Sequence, residues 1–245
     1  MAGSMRADGV LLSGFGGPDC PDAVGPFMRN LTGREPESDV VERVRARYER
    51  IGGCSPLRET AVTLGGLVEA ILADAGTPVP VAVGMRYWHP TIEEAVTSLA
   101  SSGAQCIAHV SLSPLESAVT HARYREAIDA AARASDVRVC ETASLSALPA
   151  YRRAHAEALQ AALDVLSGAR VMVVFTAHSL PVTASGMDET YVSQFRSLCD
   201  DVASMVGLGA GAEMVFADGV AWGNLAAKVP WVACYQSRGA RGDKW

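Results

Sequence analysis

Residues 10–18, VLLSGFGGP, decide the fold class. A short apolar run ends in clustered glycines and a proline, which reads as a buried strand entering a loop. The same figure returns at residues 171–181, VMVVFTAHSLP. Outward from these two points the chain alternates strand-like and helix-like stretches. Val40, Val44, Tyr48 and Ile51 stand at helical spacing after Pro36. A second helix is predicted over residues 58–76, with Leu64, Leu67, Ile71 and Leu72 on one side. Strands are predicted at 79–83, 106–112, 137–140, 171–175 and 231–235, with helices at 92–99, 119–133, from Pro149 to Gly168, and at 188–206. Between residues 206 and 231 the reading is a Gly/Ala-rich turn. Strands separated by helices imply parallel pairing with helices on both faces, and such sheets bind ligands at the carboxyl ends of their strands.

The chain has 245 residues, 49% of them hydrophobic, with a net charge of −6. That suits one large domain or two small ones, and acids interleaved with bases argue against nucleic acid as a partner. No stretch is apolar and long enough to span a membrane, and the start lacks a charged region followed by a hydrophobic run. The six cysteines, Cys20, Cys54, Cys106, Cys140, Cys199 and Cys234, form no C-x-x-C pair. They read as isolated thiols of a reducing cytoplasm, without disulfide, zinc or iron–sulfur spacing.

The loops after the strands hold the candidate chemistry. His178 directly follows a buried strand, where it can ligate a metal or exchange protons, or merely cap the strand end. Ser179 can hold that loop through the backbone, and Pro181 stiffens its exit. Gly14, Gly16 and Gly17 do not have the spacing of a phosphate loop, and Pro18 removes a donor. They allow close approach to a flat ligand, with Phe15 either a stacking ring or a core aromatic. Arg86, Tyr87, Trp88 and His89 suit an anionic aromatic ligand, or a packed loop. Ser113, Ser117, Thr120 and Tyr124 can bond carboxylates or cap a helix. Ser55, in the loop IGGCSPL at 51–57, can hold an anion or belong to a plain helix C-cap. No H-E-x-x-H, G-x-S-x-G or EF-hand pattern is present.

Seven segments in order carry a resemblance: LLSGFGGP at 11–18, PFMRNL at 26–31, YERIGGCSPL at 48–57, GMRYWHPTIEEA at 84–95, residues 114–124, FTAHSLP at 175–181 and YQSR at 235–238. Over nearly its whole length the chain resembles the ferrochelatase family of class II chelatase-like proteins. Its FGGP form is similar to the actinobacterial branch, which puts iron into coproporphyrin III. The resemblance implies two Rossmann-like parallel-sheet α/β domains with a porphyrin cleft between them. The first would be residues 6–145 and the second, incomplete, residues 146–245. It implies a cytoplasmic lyase of heme biosynthesis that inserts ferrous iron into coproporphyrin III or protoporphyrin IX, with Fe²⁺ as substrate and no tightly bound cofactor. His178 would be the catalytic and metal-binding residue, and Phe15, Ser55, Ser117 and Tyr124 would bind the porphyrin. Metal insertion releases two pyrrole protons, so a base near the ring centre is required. The family's acidic motif, facing the histidine, has no counterpart before Trp245. A second subunit or a homo-oligomer is one expected source of the missing half. The alternative is a diverged or shortened homologue that binds a tetrapyrrole or another planar ligand without metalation, or acts in specialised metabolism.

Overall fold

A computed structural model of the chain describes residues 6–180, 188–216 and 219–237, with backbone alone at 118–120, 216 and 219. The elements run β1 (Gly9–Gly14), α1 (Val24–Thr32), α2 (Ser38–Glu49), α3 (Leu57–Asp74), β2 (Val81–Met85), α4 (Ile92–Ser101), β3 (Cys106–Ser111), α5 (Ala118–Ser135), β4 (Arg138–Glu141), α6 (Pro149–Val165), β5 (Val173–His178), α7 (Glu189–Met205), β6 (Ala212–Phe216), β7 (Gly219–Asn224) and β8 (Trp231–Gln236). They divide into two compact units, Met1–Ser113 with Val119–Ala143, and Pro114–Ala118 with Ser144–Trp245.

The first unit holds a parallel sheet of order β2-β1-β3-β4. Leu11 and Ile107 face α4 and α5, where Val96, Leu99, Tyr124 and Ile128 complete a buried core. Leu12, Val83 and Met85 face the other way, against Ala61 of α3. Thr91 caps α4 in a reciprocal box with Glu94, each side chain meeting the other residue's backbone N–H. Gly84 lets β2 touch that helix start, since a Cβ there would lie 2.8 Å from Ile92 Cα.

The expected inner face of α3 is corrected. Leu64, Leu67 and Ile71 are 39%, 56% and 65% exposed, and the helix is instead seated on Ala61 and Gly65. A Cβ on Gly65 would stand 3.2 Å from Val83 Cγ2, so small residues bring this helix close to β2. Backbone proximity, not side-chain size, selects the face. The helix at Val24–Thr32 was also not legible as periodicity. It carries a proline at Pro26 and buries only Val24 and Phe27.

The second unit's sheet runs β5-β8-β7-β6. Only β5 and β8 are parallel; β7 pairs antiparallel with both β8 and β6. The second sheet is therefore mixed, and the expected Gly/Ala-rich turn is a pair of strands. At Gly223 a Cβ would lie 2.3 Å from Trp231 O, so a side chain is excluded where β7 meets β8. Helix α7 packs Tyr191, Phe195, Cys199 and Ala203 onto Ala177, Trp231 and Ala233. No helix among the described residues is long and apolar enough to cross a membrane.

Candidate functional site

In the first unit the loop after β1 is built on the loop after β2. Arg86 N donates to Gly14 O at 2.8 Å and Tyr87 N to Phe15 O at 3.0 Å, which carries the β1–β2 ladder past the strand ends. Gly16 has φ +96°, and a Cβ on it would come within 2.9 Å of Trp88 Cβ. A Cβ on Gly17 would come within 2.5 Å of Ser55 Oγ. Both positions thus need glycine, one for conformation and both for space. Ser55 N donates to Pro18 O at 2.8 Å, and Leu57 N donates to Ser55 Oγ at 3.3 Å. The structure therefore brings the predicted residues Phe15 and Ser55 onto one pair of packed loops.

Phe15 is 41% exposed, which settles its reading against a core aromatic. Its ring stands edge-on to Tyr87 at 4.9 Å and to Phe27 at 6.4 Å, and Phe27 is edge-on to Trp88 at 6.1 Å. The Arg86 guanidinium lies 4.9 Å from the Tyr87 ring centre, and Arg123 donates to Tyr87 Oη at 3.3 Å. Arg86 Nε and Trp88 Nε1 are buried with no hydrogen-bond partner among the described residues. This patch offers an exposed ring beside two guanidinium groups, a combination suited to a flat anionic ligand. His89 is exposed and paired with Glu94 at 3.1 Å.

Tyr124 is placed differently. It is 2% exposed, in the core beneath α5. Burial pushes its phenol up to about 12, with smaller opposing help from Ser113, and its hydroxyl has no partner in hydrogen-bonding geometry among the described residues. Ser117 belongs to the second unit and is also buried. The side chain of Thr120 lies outside the described residues, as do Pro181 and Arg238.

His178 is the last residue of β5, paired in register with Gln236. Its side chain is exposed, on the face that carries Val174 and Thr176 and opposite Ala177, which packs under α7. Tyr191 Oη donates to His178 O at 2.8 Å. Ser179 N and Oγ both donate to Gln236 O, at 2.8 and 2.9 Å. The strand exit is thus tied from both sides, and the imidazole projects from a fixed backbone. Among the described residues no group of three or more His, Cys, Asp or Glu side chains is gathered for a metal ion.

A buried chain of polar groups escaped the sequence reading. Ser13 Oγ and His109 Nε2 are 2.7 Å apart, and His109 Nδ1 meets Glu141 Oε2 at 2.6 Å. Ser13 and His109 are 0% and 2% exposed, whereas the Glu141 side chain is 48% exposed. The signal was available in alternation. Ile107 and His109 share one strand face, so a histidine where an apolar residue belongs requires partners on β1 and β4.

The fold and these loops define an α/β protein of the Rossmann-like chelatase kind, with its ligand loops at strand carboxyl ends. The Ferrochelatase family profile matches residues 7–245, and the chain belongs to that family. It is similar to the coproporphyrin III ferrochelatase of Mycobacteroides abscessus, with 34% identity over 209 residues, covering 83% of this chain and 61% of that protein. The coproporphyrin III ferrochelatase of Nocardia farcinica is 34% identical over 187 residues, 74% of this chain and 53% of the relative. The ferrochelatase of Gloeobacter violaceus is 31% identical over 226 residues, 83% of this chain and 69% of the relative. The chain thus spans little more than half to about two thirds of the length of these relatives.

Proposed function

We propose that this chain takes part in inserting ferrous iron into a porphyrin, with coproporphyrin III as the substrate, as a lyase of cytoplasmic heme biosynthesis. The observation that carries the reading is the family match over residues 7–245 together with an exposed Phe15 ring standing against Tyr87, itself covered by Arg86. Two of the relatives are named for coproporphyrin III. In this reading Phe15 stacks on the macrocycle, while the arginines and Ser55 attract its carboxylates. Insertion replaces two pyrrole N–H protons by Fe²⁺. His178, exposed on a tied strand end, accepts a proton or passes the metal. Ser117 and Tyr124 are buried, so their part is to support the walls rather than to touch the ligand. Iron enters as substrate, and no resident cofactor is needed.

Anaerobic mixing of the protein with Fe²⁺ and coproporphyrin III tests this through loss of free-porphyrin fluorescence and appearance of the metalloporphyrin spectrum. His178→Ala should abolish turnover while leaving porphyrin binding within a few fold. Binding without metalation would sink the insertion reading and favour a tetrapyrrole-binding homologue.

A further inference from the structure

Cys106 and Cys140 are not isolated thiols. They sit on β3 and β4, where Cys106 pairs with Arg138 and Ala108 pairs with Cys140. The two-residue period therefore places Cys106, Arg138 and Cys140 on one face of the sheet, opposite the face covered by α4 and α5. The sulfurs are 3.8 Å apart. Cys140 is exposed and Cys106 is buried, so one sulfur opens to solvent and the other backs it. Arg138 shares that face, in register opposite Cys106 and two residues before Cys140.

This geometry is wrong for a disulfide. The cysteines are diagonal, offset by two residues at about 3.3 Å each across strands about 4.8 Å apart, so their Cα atoms are roughly 8 Å apart. A disulfide does not bridge more than about 7 Å without moving the backbone. The 3.8 Å between the sulfurs suits a shared metal ion. Two thiolates at about 2.3 Å from one ion, at tetrahedral to trigonal angles, stand about 3.8–4.0 Å apart.

We propose that Cys106 and Cys140 form a two-thiolate site for a soft d¹⁰ cation of the Cu⁺ class, completed by an exogenous thiol or water. Two thiolates select such a cation over Fe²⁺ because soft sulfur ligands favour soft ions. Binding exchanges two thiol protons for one Cu⁺ and leaves a net charge of −1 on the bis-thiolate complex. The Arg138 guanidinium offsets that charge. The site lies on the parallel sheet of the first unit and is independent of porphyrin metalation.

The test is an anaerobic titration of the full chain with Cu⁺ in competition with a chromophoric Cu⁺ chelator, without porphyrin. The wild type and the Cys20→Ser/Cys54→Ser control, which removes two other exposed thiols, should each withdraw one equivalent with release of two protons. Cys106→Ser and Cys140→Ser should each weaken binding by more than about 100-fold, beyond the roughly 10- to 100-fold expected for losing an outer-shell partner. Arg138→Gln should weaken it about 10-fold. Should Cys106→Ser fail to fold, the exposed Cys140→Ser decides alone. Binding unchanged in Cys140→Ser, or abolished in the Cys20→Ser/Cys54→Ser control, would overturn the assignment.

Discussion

Truncating His109 to alanine should destabilise the first unit by about 3–5 kcal/mol. Ser13 Oγ is 0% exposed and His109 Nε2 is its hydrogen-bond partner, so the substitution strands a buried hydroxyl. That alone costs about 1–3 kcal/mol. Removing a ring from a 2% exposed position adds a cavity term, and aromatic truncations in cores cost about 3–5 kcal/mol in all. With a urea slope of about 2 kcal/mol/M, the midpoint should fall by about 1.5–2.5 M. Ser13→Ala should cost about 1–3 kcal/mol by leaving the imidazole nitrogen unmet. Combining Ser13→Ala with His109→Phe removes both polar atoms, and it should be less damaging than the two single effects predict, with a coupling of about 1–2 kcal/mol. Glu141→Gln, at a half-exposed carboxylate, should cost no more than about 1 kcal/mol. Urea unfolding followed by tryptophan fluorescence and circular dichroism reads these variants, together with the single His109→Phe that the coupling requires. A His109→Ala loss below about 0.5 kcal/mol, a size typical of surface changes, would refute the claim that this chain of groups is a buried structural element.

Gly17→Ala drives a methyl into Ser55 Oγ, so it should lower stability by about 1–3 kcal/mol and weaken porphyrin binding measured by fluorescence quenching. Thr91→Ala breaks the α4 capping box and should cost about 1 kcal/mol in thermal or urea unfolding. Tyr124 holds its proton up to about pH 12, against about 10 when unfolded. A raised pKa means its contribution is complete below about pH 10 and is lost as pH climbs toward 12. Melting temperatures measured from pH 8 to 11.5 should fall at the alkaline end, and Tyr124→Phe should flatten that fall.

The parallel first sheet could be read directly. Its strands, such as residues 81–83 and 106–112, are short, mostly apolar runs separated by helices. The loops at the strand exits were equally legible, because glycine and proline mark them. Phe15 and Ser55 were named from these loops, and Gly17 packs closely on Ser55. What was hidden depended on backbone approach. Helix α3 turns Gly65 rather than Leu67 inward, since the large residues would hold it away from β2. Strands β6 and β7 contain Ala212, Ala221 and Gly223, whose low β propensity erases the alternation that backbone pairing alone maintains. Alternation flags His109 on an apolar strand face, but its partners stay hidden because they come from strands 96 and 32 residues away in sequence. Tyr124 and Ser117 were read as facing a ligand, and their burial could only emerge from packing.

The most direct test of the account is single-turnover metalation of coproporphyrin III by Fe²⁺ under anaerobic conditions, comparing the wild type with His178→Ala. The wild type should form the metalloporphyrin and His178→Ala should not, with porphyrin binding retained in both. Metalation that survives the substitution unchanged, or a wild type that does not metalate the porphyrin, would contradict it.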